Sequence, residues 1–289
     1  MRFILCAMFL TLAASAAEVK TITAAENPYG LTIGPDGALY ICEIDAHQVT
    51  RFDLKTHARS GIGPFQQPYE VRFDADRNLY VDDMPANIIQ RVDAKTKAFT
   101  TIAGPRDLKQ PHSIAFDRAG GLLICDIGNN RIRRVDLKTG AIDTLGEPMK
   151  GPRAIAFDKA GNMYVALREG NAVYRQSATD HAMTRFAGTG EKGYSGDGGP
   201  ALDARFNGPK GIACAPDGSV YVADTENHAI RRIDARGVMT TVLGTGVRGD
   251  GPDGDPLKCK LARPHGIFVA EDGTVYVGDS ESNKVRMLR

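Results

Sequence analysis

One phrase returns six times along this chain, and nothing else in the sequence constrains its fold as tightly. Pro28, Pro68, Pro111, Pro152, Pro209 and Pro264 each open a similar segment. Twelve residues further on stand Tyr40, Tyr80, Leu123, Tyr164, Tyr221 and Tyr276. Fifteen on stand Glu43, Asp83, Asp126, Leu167, Asp224 and Asp279, and nineteen on stand His47, Asn87, Asn130, Asn171, His228 and Asn283. Three offsets held through six copies without slippage define a tandem repeat. Periods of about 20–50 residues build solenoids, propellers or arrays.

Each copy carries an alternating run such as "GIACAP", a turn such as "PDG" or "EDG", and a second run such as "VYVAD". A polar turn leads to a third strand such as "AIRRID" and a fourth such as "VMTTVLG". Four short strands in roughly 40 residues make a propeller blade. The opening prolines lie 40, 43, 41, 57 and 55 residues apart, so two connections are long. The last copy ends at Arg289 after three strands, while "VKTITA" (19–24) has the look of a fourth strand with no blade before it. Pairing the two leaves no exposed sheet edge. The expected fold is therefore all-β, a six-bladed propeller over 18–289 closed by its N-terminal strand, and residues 19–24 are structural.

The opening "MRFILCAMFLTLAASAAE" has Arg2, an apolar run to Leu12 and small residues up to Ala17. This is the pattern of a secretory signal, assigned to residues 1–17, and implies a periplasmic or secreted protein. The run is too short to span a membrane. A net charge of +1 gives no electrostatic case for nucleic acid or an anionic membrane, and the absence of Trp argues against a base-stacking surface. A monomer is expected. Cys42, Cys125, Cys214 and Cys259 are too scattered for a disulfide framework, and Cys42 and Cys125, at matching strand positions, read as small buried residues.

"GTGEKG" (188–193) and "GTGVRG" (244–249) match the dinucleotide fingerprint, but "YSGDGGP" and "DGPDGDP" follow them and cannot start a helix. No nucleotide cofactor is expected. Asp197, Asp250, Asp253 and Asp255 lack a complete calcium-loop spacing and read as solvated turns. The third-strand arginines Arg133, Arg134, Arg231 and Arg232 read as solvated strand faces.

"PKGIACAPDGSVYVADTENHAIRRID" (209–234) resembles the NHL repeat, and "SGDGGPA" (195–201) is similar to a phrase common in bacterial NHL propellers. The resemblance covers essentially the whole mature chain and implies a six-bladed propeller. "NPYGLTIGPDGALYICE" (27–43) also resembles repeats of streptogramin lyases, and more loosely the lactonase-like propellers of the SMP-30/gluconolactonase type.

Repetition separates scaffold from function. The offset-fifteen acids end the second strand, where a carboxylate accepts backbone N–H groups, so they read as turn fasteners together with the Asn or His four residues later. The residue after each opening proline varies instead: Tyr29, Tyr69, His112, Arg153, Lys210 and His265. This position lies near the mouth of the central channel, on the face that also carries the acids. Such convergent polar groups fit a ligand site. Imidazoles and carboxylates there can ligate a divalent metal (Ca, Mg or Zn) or act as base. His112 and His265 are the candidate ligands or bases, with Glu43, Asp279 or Asp83 in support, and Arg153 or Lys210 would hold an anion. Blade two departs from the rest with Glu70, Arg72 and Asp82 where the other blades have mostly small residues. These form either an internal ion cluster or part of the funnel. Blade four has Leu167 and Arg168 in place of the acidic pattern.

The lyase resemblance implies a His–acid magnesium site, whose positions His265 and Asp279 match, although Arg263 stands where an acidic ligand belongs. "QPHSI" and "RPHGI" resemble the zinc-binding segments of amidating lyases, without an identifiable third histidine. Two functions follow: a metal-assisted lyase or lactone hydrolase acting on a small or peptide-like substrate, or a non-catalytic propeller that binds a ligand or protein on its top face.

Overall fold

A computed structural model describes residues 17–289; the expected signal segment lies, apart from Ala17, outside them. The alternating runs form strands, because side chains along a strand point to opposite faces and both faces of a blade are covered by neighbours. Blade 1 comprises β2 (Pro28–Ile33), β3 (Leu39–Glu43), β4 (Gln48–Phe52) and β5 (Arg59–Ile62). Blade 2 comprises β6 (Pro68–Phe73), β7 (Leu79–Asp83), β8 (Ile88–Val92) and β9 (Phe99–Ala103). Blade 3 follows as β10 (Pro111–Phe116), β11 (Leu122–Asp126), β12 (Arg131–Val135) and β13 (Ile142–Leu145). Blade 4 is β14 (Pro152–Phe157), β15 (Met163–Leu167), β16 (Ala172–Gln176) and β17 (Met183–Ala187). Blade 5 is β18 (Gly211–Cys214), β19 (Val220–Asp224), β20 (Ala229–Ile233) and β21 (Met239–Leu243).

Blade 6 is β22 (Pro264–Val269), β23 (Val275–Asp279), β24 (Lys284–Leu288) and, outermost, β1 (Val19–Ala24). The ring closes as expected. β1 runs antiparallel to β24, Val19 facing Leu288 and Ala24 facing Lys284, with a bulge between Thr21 and Thr23. Val19 is fully buried, so the closing strand also adds an apolar side chain to the core.

The core is divided among the junctions between blades. Tyr40, Cys42 and Val49 of blade 1 pack on Val71, Leu79 and Val81 of blade 2, and the pattern repeats round the ring. Close approach at the axis demands small residues just past the varied position. A Cβ on Gly266 would run into the Tyr29 carbonyl oxygen, and one on Gly211 into that of His265.

The third offset has a double cause. His47, Asn87, Asn130, Asn171, His228 and Asn283 all adopt positive φ, between 45° and 56°. Asn tolerates this left-handed region better than most residues. Its side chain then reaches the next blade: Asn87 Oδ1 accepts from the Gln110 N–H at 2.6 Å, Asn130 from Gly151 at 3.0 Å and Asn171 from Gly208 at 3.0 Å. Asn283 accepts from Asn27 at 2.8 Å and carries the stapling across the closure. His228 Nδ1 accepts from the Arg263 N–H at 3.1 Å, the same role with a nitrogen in place of the amide oxygen.

The two long connections fill junctions. Ala201, Ala204 and Phe206 enter the core between blades 4 and 5, and Cys259 and Leu261 that between blades 5 and 6. Each is pinned by a third-strand arginine. Arg231 bonds Asp197 (2.8 Å), the Ser195 carbonyl oxygen (2.9 Å) and Asp224 (3.3 Å). Arg286 bonds Asp250 (2.6 Å), Asp253 (3.0 Å) and Asp279 (2.8 Å). This corrects two expectations. Arg231 is wholly buried under its loop, unlike Arg232 on the outer face. Asp197, Asp250 and Asp253 are counter-ions of buried guanidinium groups, and a calcium ion has no free carboxylate there. The four cysteines Cys42, Cys125, Cys214 and Cys259 are free thiols.

Candidate functional site

The residue after each opening proline starts the innermost strand, and six such strands meet round one axis. Tyr29, Tyr69, His112, Arg153, Lys210 and His265 therefore line a single funnel of about 490 Å³. Met84, Gln110, Ile127, Asn130, Arg168, Glu169 and Arg263 complete its wall. A constriction of about 20 Å³ lies below, bounded by the same six residues with Glu70 and Ser113.

The rings form a belt. His265 stacks on Tyr29 at 4.0 Å, Tyr29 meets Tyr69 edge-on at 4.7 Å, and Tyr69 meets His112 edge-on at 4.9 Å. Burial pushes the Tyr69 phenol up to about 12 and raises Tyr29, so both are O–H donors at neutral pH.

Hydrogen bonding fixes the tautomers. His112 Nδ1 lies 2.8 Å from the Gln110 carbonyl oxygen, which requires an N–H there and leaves Nε2 a lone pair. His265 Nδ1 likewise faces the Arg263 carbonyl oxygen (2.8 Å) and Ser280 Oγ (3.0 Å), the latter hydroxyl donating to the Pro28 carbonyl oxygen. His265 Nε2 accepts from Lys210 Nζ at 3.4 Å. Burial, then the cations Lys210, Arg153 and Arg263, hold His265 well below the usual imidazole range; burial and Arg153 do the same to His112. Both imidazoles are neutral.

The cations differ in their partners. Lys210 Nζ lies 2.8 Å from Glu226, and burial lowers its pKa to about 8. Arg263 is held by Glu226 (2.7 Å) and Glu281 (2.9 Å). Burial raises Glu226, but hydrogen bonds from Arg263 and Lys210 outweigh it and hold that carboxylate down to about 2. Arg153 has no such partner. It is 5% exposed, makes no ion pair among the described residues, and leaves Nε without a hydrogen bond. Its contacts are the His112 carbonyl oxygen at 3.4 Å and the faces of Tyr69 and Tyr29 at 5.6 and 6.0 Å. A buried charge without a counter-ion is costly.

The acids expected beside the histidines lie elsewhere. Asp83 accepts from the Gln66 and Gln67 N–H groups at 2.8 Å each, Asp279 from Ala262 at 2.7 Å and from Arg286, and Glu43 from Glu26 at 3.3 Å and from Arg59. Asp126 and Asp224 bind Lys109 and Asn207 in the same way. Each carboxylate caps the N–H two residues before its own opening proline. None lines the funnel, because each side chain is turned into the chain that leads to its own blade. Glu43, Asp83 and Asp279 are fasteners.

In blade 2, Glu70 pairs with Arg72 at 2.6 Å, while neither oxygen of the fully buried Asp82 has a partner. Burial drives the Asp82 carboxyl well above its ordinary range, against the opposing charge of Arg153. The expected three-membered cluster is thus a pair plus a lone carboxyl. Arg72 does not reach the funnel, and Glu70 reaches only the constriction.

A divalent metal does not fit this donor set. Two neutral imidazoles would face it with Arg153 and Lys210 between them, and no carboxylate free of cationic partners faces the funnel. Among the described residues, no group of three or more His, Cys, Asp or Glu side chains is placed to hold an ion. Sequence reasoning missed Glu226 and Glu281, which tie down the funnel cations. Their signal lay in the repeat: seventeen residues after the opening proline stand Asp45, Glu169, Glu226 and Glu281, an acid in four copies.

Fold and funnel together define a six-bladed β-propeller with a polar funnel on its top face. The family model of the teneurin NHL domain matches residues 158–250. NHL repeat-containing protein 2 of Gallus gallus is 47% identical over 53 residues, 18% of this chain and 7% of that protein. The chain spans 8% or less of the length of the curated relatives it matches. An auxiliary nutrient binding protein from Bacteroides thetaiotaomicron superposes with a TM-score of 0.80 at 18% identity, covering 94% of this chain and 76% of that one. A virginiamycin B lyase from Staphylococcus aureus gives 0.62 at 20% identity, with 94% and 98% covered. At these identities the likeness is one of fold. Among the described residues no helix is long and apolar enough to cross a membrane.

Proposed function

We propose that this propeller binds a small organic anion in its top-face funnel, without chemistry. The observation that carries this reading is Arg153, a buried guanidinium lining the funnel that makes no ion pair and leaves Nε unbonded, Asp82 acting on it only through space. An anionic ligand supplies the missing counter-charge, and the Tyr29 and Tyr69 hydroxyls and Lys210 add donors around it. The sequence alone left metal-assisted catalysis and ligand binding level; the donor set favours binding. Structural likeness to a nutrient-binding propeller agrees with this reading and does not carry it.

Calorimetric titration with acetate, benzoate, succinate and phosphate tests it. At least one should bind the wild type, more weakly as salt rises, and binding should fall by tenfold or more in Arg153→Gln. No binding by a folded protein, or affinity unchanged in the variant, overturns the reading.

His112 favours a second reading. Its Nδ1 is held by the Gln110 carbonyl oxygen, which leaves the Nε2 lone pair for a proton, and Arg153 bonds its backbone carbonyl oxygen; this arrangement suits proton abstraction from a carbon next to a carboxylate bound by Arg153. Solvent-deuterium exchange into a bound acid, lost in His112→Gln, would select this reading over simple binding.

A further inference from the structure

The six varied positions fall into two arcs. Walking round the ring, His265, Tyr29, Tyr69 and His112 are contiguous in blades 6, 1, 2 and 3, each ring touching the next at 4.0–4.9 Å. Arg153 and Lys210 fill the remaining two, in blades 4 and 5. On the outer wall the cations Arg168 and Arg263 stand on blade 4 and at the lead-in to blade 6, whereas blades 2 and 3 offer Met84 and Ile127. The funnel's one acid, Glu169, pairs with Arg168 at 3.4 Å and so stays within the cationic half.

A ligand that satisfies Arg153 must place its remaining atoms against the other half. In that half the Tyr29–Tyr69–His112 arc has no fixed charge, its phenols protonated and its imidazole neutral, and the cation at its edge, Arg263, is already paired with Glu226 and Glu281. A second carboxylate there would lose water without gaining a cation, and an ammonium would meet no carboxylate. An aromatic body suits the edges and faces of the ring belt. Resting on the anion-binding reading above, we infer that the funnel selects an aromatic monocarboxylate, its carboxylate on Arg153 and its ring against the Tyr29–Tyr69–His112 arc.

The test titrates acetate, cyclohexanecarboxylate, benzoate and phthalate into the wild type, Tyr69→Leu and Ile127→Glu. An aromatic contact worth about 0.5–1.5 kcal/mol corresponds to roughly two- to twelvefold in affinity. Benzoate should therefore exceed cyclohexanecarboxylate by at least about twofold, and both should exceed acetate and phthalate by tenfold. Tyr69→Leu should erase the first margin while weakening all four anions through its lost hydroxyl, and Ile127→Glu should weaken benzoate more than acetate.

If acetate, phthalate and benzoate bind equally and depend on Arg153, the aromatic selection is overturned while the anion site stands. A preference for phthalate places a second cation in the apolar half and also overturns it. If no anion binds, both readings fall.

Discussion

Arg231 and Asp197 stand 2.8 Å apart, the guanidinium fully buried in blade 5 and the carboxylate half-exposed on the loop that precedes it. The same guanidinium reaches buried Asp224, which fastens the lead-in to blade 5. One arginine thus joins loop and blade. Arg231→Met removes it and leaves two acids, one wholly buried. A loss of about 3–5 kcal/mol is expected, as for a broken buried pair. Arg232→Met, on the exposed face, should cost about 0.5 kcal/mol or less. Urea unfolding of the two variants measures the difference; equal losses would sink this account of the loops.

Asp82 opposes folding at neutral pH. Its folded pKa is raised by burial, so above the ordinary carboxyl value the unfolded chain gives up a proton that the folded chain keeps. Stability falls as pH rises from about 3.8 toward the folded value. Asp82→Asn should raise stability at pH 7 and change it little at pH 4. A variant less stable at both pH values would mean that the carboxyl has a partner.

His112 and His265 act in the opposite sense. Their folded pKa values are depressed, so below about 6.5 the unfolded chain takes up protons that the folded chain refuses. Each therefore costs stability progressively as pH falls below about 6.5. His112→Gln should flatten the acid decline of stability. A decline identical to wild type would show a histidine that charges freely in the folded state.

The closing strand should be indispensable. Deleting residues 17–24 strips the outer strand from blade 6, exposes the β24 edge and removes buried Val19. A fall of roughly 10 °C in the unfolding midpoint is expected, with concentration-dependent aggregation. Thermal scans at several concentrations check this, and an unchanged midpoint would contradict the closure.

What the sequence alone determined is the architecture. Strand alternation, turn glycines and fixed offsets are local chemistry, and six copies of the same local chemistry leave only one way to bury both faces of each sheet. The ring, its closure by 19–24 and the shared face of the varied residues were all legible in this way. The fastening acids were legible too, since Asp126 and its equivalents serve every blade alike. The tertiary structure decided where side chains point once the blades packed. It turned Glu43, Asp83 and Asp279 into their own lead-in segments and away from the histidines, and it buried Arg231 under a loop that no local pattern placed there. It also left Arg153 without an ion pair and Asp82 without a hydrogen-bond partner, the two acting on each other only through space. Pairing of charges depends on groups brought together from distant blades, and a repeat offset fixes a residue's position along its strand while saying nothing of what another blade sets opposite it.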